Sequence, residues 1–316
     1  MTMKSLIFKK ILSSILVVFL LTIIIFLIVH IMPGDPIETM LGDYATPEQI
    51  ATLRAQYNMD KPLLEQYAIW LNNILHGDWG TSIVSKRPVM PQIMERLPRT
   101  LVLCLVPTVL SLGIAIVMGV ISASRHNSLT DLGISVSSLA LLSVPEFWMG
   151  ILLMILFAVE WNLLPAGGYV KISDDLMGHL KCMILPLITM IIHSMPGTVR
   201  QVRSSMLEVL GEDYIMLART KGNSDFRCNY VHALRNALIP IATGVSLQVT
   251  SLMAGVIVIE KVFQYPGTGL LLLNGITNRD YPMIQAAIFV FSVLVVIVNL
   301  ITDLVYAVID PRIRYG

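Results

Sequence analysis

Six long apolar segments, at 11–32, 101–123, 134–159, 182–199, 241–259 and 283–308, limit what this chain can fold into more than any other feature. A helix over the first would be about 33 Å long, against a hydrocarbon core of about 30 Å. In hydrocarbon each backbone N–H and C=O must be bonded inside the protein, which a helix does within one segment. Only 14% of the 316 residues are charged, where soluble domains carry about 25%. The expected class is all-α, a polytopic membrane protein with six transmembrane helices.

Charge placement sets the expected orientation. Lys4, Lys9 and Lys10 precede the first segment. Its core is longer than that of a signal peptide and lacks a small-residue cleavage site, so an uncleaved span is expected. Pro145 divides the third segment into either one kinked pass or two short ones. One pass places Arg125, Arg312, Arg314 and the basic stretch between spans four and five on the side of the first lysines; two passes break the positive-inside rule. One kinked pass is therefore preferred, with both termini cytoplasmic.

The domain reading follows: 1–32 as N-terminus and first span, 33–100 as an extracytoplasmic helical segment, and 101–316 as a five-helix core. Within 33–100, Pro33-Gly34-Asp35-Pro36 reads as a rigid turn. Thr46-Pro47-Glu48-Gln49 reads as N-cap, first-turn proline and capping-box glutamine. A helix over 63–76 presents Leu63, Tyr67, Trp70, Leu71 and Ile74 on one face, which packs on the membrane domain or lies at the headgroups.

A charged hairpin at 205–240 interrupts the apolar pattern. Leu207, Leu210, Tyr214 and Leu217 fall at three- and four-residue steps, predicting one apolar helical stripe. Arg219, Lys221 and Gly222 are helix C-terminal chemistry, and Asn223-Ser224-Asp225 makes a turn that caps a second helix, about 226–238, closed by Pro240. Such a stripe on a polar hairpin calls for a soluble partner.

Chemistry is sparse. There is no phosphate-binding G-x-x-x-x-G-K-[ST], no H-E-x-x-H and no G-x-S-x-G. The six histidines lack ligand spacing, so no metal site, catalytic residue or bound cofactor is expected of this chain. Cys104, Cys182 and Cys228 are expected to be small buried hydrophobes, and the net charge of +1 gives nucleic-acid binding no support. Polar groups inside spans are costly and mark pathways or helix contacts. The pathway candidates are Glu146 after Pro145, His193 and Ser194 where Pro196-Gly197 could break a span, Gln248 in the fifth span, and Asn299 with Asp303 on one face of the sixth. Gln248 also reads as helix–helix glue, and Glu260 with Lys261 as an interfacial pair.

GEDYIMLARTKG followed by HALRNALIP resembles the cytoplasmic coupling loop of binding-protein-dependent ABC importer permeases. The likeness is strongest to the branch importing dipeptides, oligopeptides, glutathione and nickel. HIMPGDP at 30–36, LLEQYAIWLNNILHGDWGTS at 63–82, FQYPGTG at 263–269, NRDYP at 278–282 and NLITDLVYAVIDPRIRYG at 299–316 extend it along the chain. Met216 departs from the family's usual glutamate there, and Ile239-Pro240 from its Leu-Pro. The resemblance implies a type I importer permease in a bacterial inner (plasma) membrane, not itself an enzyme. It would pair with a second homologous permease, two cytoplasmic ATP-binding subunits that hold ATP and magnesium, and an extracytoplasmic solute-binding protein. Leu207, Leu210, Glu212, Asp213, Tyr214, Leu217, Ala218 and Gly222 would carry the ATPase coupling. A small peptide is the expected cargo, with nickel or a metal chelate as the alternative. An ion-coupled secondary transporter, the rival class, would show inverted repeats.

Overall fold

The computed structural model describes residues 3–31, 37, 41 and 46–309; side chains are described between 8 and 302, apart from those gaps and positions 239, 243 and 246. The expected 33–36 turn and the stretch 310–316 lie outside the described residues. In chain order the helices are α1 (Met3–Ile31), α2 (Pro47–Gln56), α3 (Leu63–Leu75), α4 (Val89–Ser124), α5 (Leu129–Leu142) and α6 (Glu146–Met154), which runs on as a π-helical turn, Ile155–Glu160. Then come α7 (Leu176–Leu210), α8 (Asp213–Thr220), α9 (Leu234–Val262), α10 (Thr268–Thr277) and α11 (Tyr281–Ile309). A short turn, Asp225–Arg227, and a π-helical turn, Cys228–Ala233, lead into α9.

Among the described residues five stretches are long and apolar enough to cross a membrane: Phe8–Ile31, Val89–Ser124, Leu176–Leu210, Pro240–Val262 and Tyr281–Thr302. Helices α5 and α6 meet the same test together, bent by 95° at the intervening break. Counted as one broken span, they bring the total to six. Pro145 supplies the break, since it lacks an N–H and disfavours helix at the residue before it. Within two other described helices proline does not make a break. α7 runs through Pro186 and Pro196, and α9 through Pro240, which was expected to close the hairpin's second helix. Packing against neighbouring helices outweighs the missing bonds there.

The chain divides into two compact units. One combines Phe8–Thr100 with Pro266–Ile297. Its α2 begins with the expected capping box: Gln49 N–H donates to Thr46 Oγ1 at 3.3 Å, and Thr46 N–H to Gln49 Oε1 at 3.1 Å. The apolar face of α3 lies on α1. Phe26 meets Tyr67 edge-on at 5.4 Å between ring centroids and Trp70 at 5.9 Å, and the Thr22 and Tyr67 hydroxyls are 2.8 Å apart. The choice left open by the sequence is thereby made in favour of packing, although Leu63 stays exposed. The buried Asp280 carboxylate accepts hydrogen bonds from the Ser82 hydroxyl and, at 3.0 Å, from Ile83 N–H. Arg99 donates to Pro266 O at 3.1 Å, and Thr268 N–H donates to Thr100 Oγ1 at 2.8 Å.

The other unit is built on Leu101–Tyr265. Val120 and Ala123 of α4, Val202 and Met206 of α7, Ile215 of α8, and Ala237 and Ile241 of α9 form one buried core. Glu260 is fully buried rather than interfacial. An ion pair that the sequence did not advertise ties α5 to α7. Asp131, 4% exposed, accepts from Arg203 Nε at 2.6 Å and Nη2 at 2.8 Å, from the Ser122 hydroxyl and from Asn127 N–H at 3.1 Å. Removing one partner of a buried pair strands the other charge, whereas removing both does not. Asp131→Ala is expected to cost about 2–4 kcal/mol, and Asp131→Leu with Arg203→Met clearly less. Unfolding of the detergent-solubilised protein in increasing SDS checks the difference.

Candidate functional site

Two places in the Leu101–Tyr265 unit carry polar chemistry. The first is a cavity of about 310 Å³ between α6, α7 and α9. Glu146 opens α6 directly after Pro145. Its carboxylate lies against Gly255, and Oε1 is buried without a hydrogen-bond partner. His193 reaches the same cavity from α7, with Nδ1 likewise buried and unpartnered. Ser194 also lines it, its hydroxyl turned back to Ile191 O at 3.4 Å. Gln248 lines the wall as well, but its amide is engaged: Thr198 Oγ1 donates to Oε1 at 2.9 Å, and Nε2 donates to Ser111 Oγ at 2.8 Å. That chain joins α4, α7 and α9, the helix glue its sequence position also allowed.

The cavity thus brings together Glu146, His193, Ser194 and Gln248. Asn299 is an exposed residue of α11 outside this wall, and the side chain of Asp303 lies outside the described ones. Gln201 and Ser251 are additions. The signal for Gln201 was available: His193, Gly197 and Gln201 recur every four residues on one face of α7. Gln201 Nε2 donates to Pro240 O at 2.8 Å, and its amide lies where a side chain on Gly244 would start. A second cavity, about 710 Å³, shares Gly197 and Gln201 and adds Ser135, Leu139, Arg200, Arg203 and Ser204. Among the described residues no group of three or more His, Cys, Asp or Glu side chains is placed to hold a metal ion.

The second place is the hairpin. α7 is 35 residues long, about 52 Å, and so extends some 20 Å beyond a hydrocarbon core. Its end carries Leu207 and Leu210, which are half-buried and pack on the core formed around Ile215. The helix stops at Gly211, and α8 starts afresh at Asp213 with Glu212 in the N-cap position. The expected single stripe is therefore divided. Leu207 and Leu210 turn inward, while Tyr214, Met216 and Leu217 are exposed on α8 and Phe226 beyond it. Glu212 and Asp213 are also exposed, and Ala218 is half-buried.

α8 is held from both ends. Ile215 is fully buried, and Asn236 Nδ2 donates to the Tyr214 hydroxyl at 2.7 Å. At the C-terminus Gly222 N–H bonds Arg219 O at 2.9 Å and Asn223 N–H bonds Ala218 O at 3.3 Å, the paired bonds of a Schellman cap. Gly222 has φ +80°, a left-handed conformation that glycine adopts without strain. The cap was legible from Arg219, Lys221 and Gly222. The break at Gly211 was not, because the leucine spacing continues across it.

Long apolar helices, polar groups gathered between α6, α7 and α9, and a short amphipathic helix fit a multi-spanning transport subunit. Residues 115–315 match the family described as binding-protein-dependent transport system inner membrane component, and residues 3–104 match the N-terminal component of such systems. The chain belongs to this family of transport permeases. It is 40% identical over 316 residues to the oligopeptide transport system permease protein AppB of Bacillus subtilis (strain 168), covering 99% of this chain and 100% of that one. It is 37% identical over 319 residues to the dipeptide transport system permease protein DppB of Escherichia coli (strain K12), covering 93% and 94%. A putative peptide transport system permease protein of Brucella abortus (strain 2308) is 37% identical over 313 residues, covering 99% and 100%.

Gly244 offers a direct probe of the cavity. Gly244→Val must push Gln201 off Pro240 O and fill part of the space. The variant is expected to insert and assemble normally while transport falls about tenfold or more, as uptake by reconstituted vesicles would show.

Proposed function

We propose that the protein is the membrane-spanning permease subunit of an ATP-driven importer of small peptides. The observation that carries this reading is the hairpin: an anchored short helix with Tyr214, Met216 and Leu217 exposed. The three relatives named above are peptide permeases, which favours a peptide over nickel as cargo. In this reading a second, homologous permease completes the pathway, and a binding protein delivers substrate from outside. Two ATP-binding subunits supply the nucleotide chemistry. Both termini and the hairpin are cytoplasmic, consistent with the lysines before α1 and the arginines around α8.

The mechanism follows from how α8 is held. A partner that closes on ATP pushes the exposed face of α8. Ile215 transmits the push into α4, α7 and α9, because a packed core cannot deform continuously. Docking alone shifts nothing; the ATP-bound partner must prefer one of two arrangements of the spans. Glu212, Asp213 and Ala218 frame the contact, and Gly222 keeps the end of α8 clear. No side chain stands within 4 Å of where a Gly222 side chain would begin, so bulk there projects outward rather than into the fold.

Met216→Asp with Leu217→Asp is expected to cut co-purification of the ATP-binding subunits about tenfold or more, since a few buried apolar anchors dominate an interface. Gly222→Trp should leave membrane insertion intact and abolish ATP-dependent uptake. Normal uptake by Gly222→Trp removes the docking role from this end of α8.

A further inference from the structure

The two cavities along α7 differ in charge. The first contains one carboxylate, Glu146, and no lysine or arginine in its wall. The second contains Arg200 and Arg203 and no acid. Arg203 is neutralised by Asp131, whereas Arg200 makes no ion pair with the described residues. Between the two ends the wall is open: nothing lies within 4 Å of where a side chain on Gly197 would begin.

A carboxylate oxygen buried without a partner costs several kcal/mol unless a proton or a cation meets it. Glu146 Oε1 and His193 Nδ1 are in that position together, and the residues around them supply no cation. Arg200 lies seven positions after His193 on α7, about 10 Å along the axis. An extended chain of two or three residues spans roughly 7–10 Å.

We propose that these cavities form one two-ended binding site within the permease that takes a short zwitterionic peptide by its termini. Its ammonium group meets Glu146 and His193; its carboxylate meets Arg200. Gly197 leaves room for the peptide backbone. This rests on the peptide-importer reading and deepens it, because it gives the permease its own preference for free termini, independent of whatever the binding protein selects.

The test uses the assembled transporter, purified without its binding protein and titrated with dialanine, N-acetyl-dialanine and dialanine amide by saturation-transfer NMR. The native complex is expected to bind dialanine roughly tenfold or more tightly than either capped form, the worth of one charge-assisted hydrogen bond. Glu146→Gln, which keeps the shape of the side chain, should erase the advantage over the acetylated peptide alone. Arg200→Gln should erase the advantage over the amide alone. Equal affinity of the native complex for all three peptides, loss of both preferences in either variant, or no binding at all overturns the site. ATP-dependent uptake of dialanine and trialanine by native vesicles supplied with binding protein separates the two levels. Uptake together with equal binding of the three dialanine forms keeps the importer and removes the site; no uptake of either peptide removes both.

Discussion

Ile215 is the residue through which the polar hairpin becomes part of the membrane structure. It sits fully buried on a helix whose other large apolar side chains, Tyr214, Met216 and Leu217, are exposed. Its neighbours in the core come from α4, α7 and α9, three helices otherwise committed to the bilayer. Burying one such side chain is worth about 1.5–3 kcal/mol, modest for stability. The geometric effect is larger. The Tyr214 bond to Asn236 and the Schellman cap at Gly222 add to that anchor.

The apolar length of each span and the polar satisfaction between spans act at different levels. Length decides that helices cross and how many do; nothing in it decides which helix touches which. That choice falls to a few buried polar groups. Asp131 with Arg203 joins α5 to α7, Gln248 joins α9 to α7 and α4, and Gln201 joins α7 to the Pro240 carbonyl. A buried polar group has poor alternatives to its partner, so a small number of them can set the arrangement of helices that are individually interchangeable.

Most of the fold was legible in the sequence for this reason. The spans announce themselves by length, Thr46 and Gln49 by the capping box, and Gly222 by position after Arg219 and Lys221. The resemblance stretches acquire a physical role too: Ser82 at the end of one and Asp280 within another form a buried contact. What was not legible depends on tertiary partners. Pro196 and Pro240 look like breaks but lie within helices, while Gly211, unremarkable in the pattern, is where α7 ends. Asp131 sits among polar loop residues in the sequence and only the fold buries it. Of the expected pathway residues, Glu146, His193, Ser194 and Gln248 converge because α6, α7 and α9 do. Asn299 does not join them, since sharing a face with Asp303 says nothing about which cavity that face meets.

The difference between Gln248 and Glu146 shows how the same polar composition can serve structure or transport. Gln248 has both ends of its amide satisfied by protein, so any ligand would have to compete with Ser111 and Thr198. Glu146 has an oxygen with no competitor. A buried group whose bonds are complete holds helices together, and one whose bonds are incomplete is free energetically to meet a passenger. By that criterion Glu146 and His193 are the groups of this wall with bonds still to offer. The amides and hydroxyls around them define the shape of the space, and a passenger that leaves the glutamine bridges intact can enter and depart without loosening the helices that enclose it.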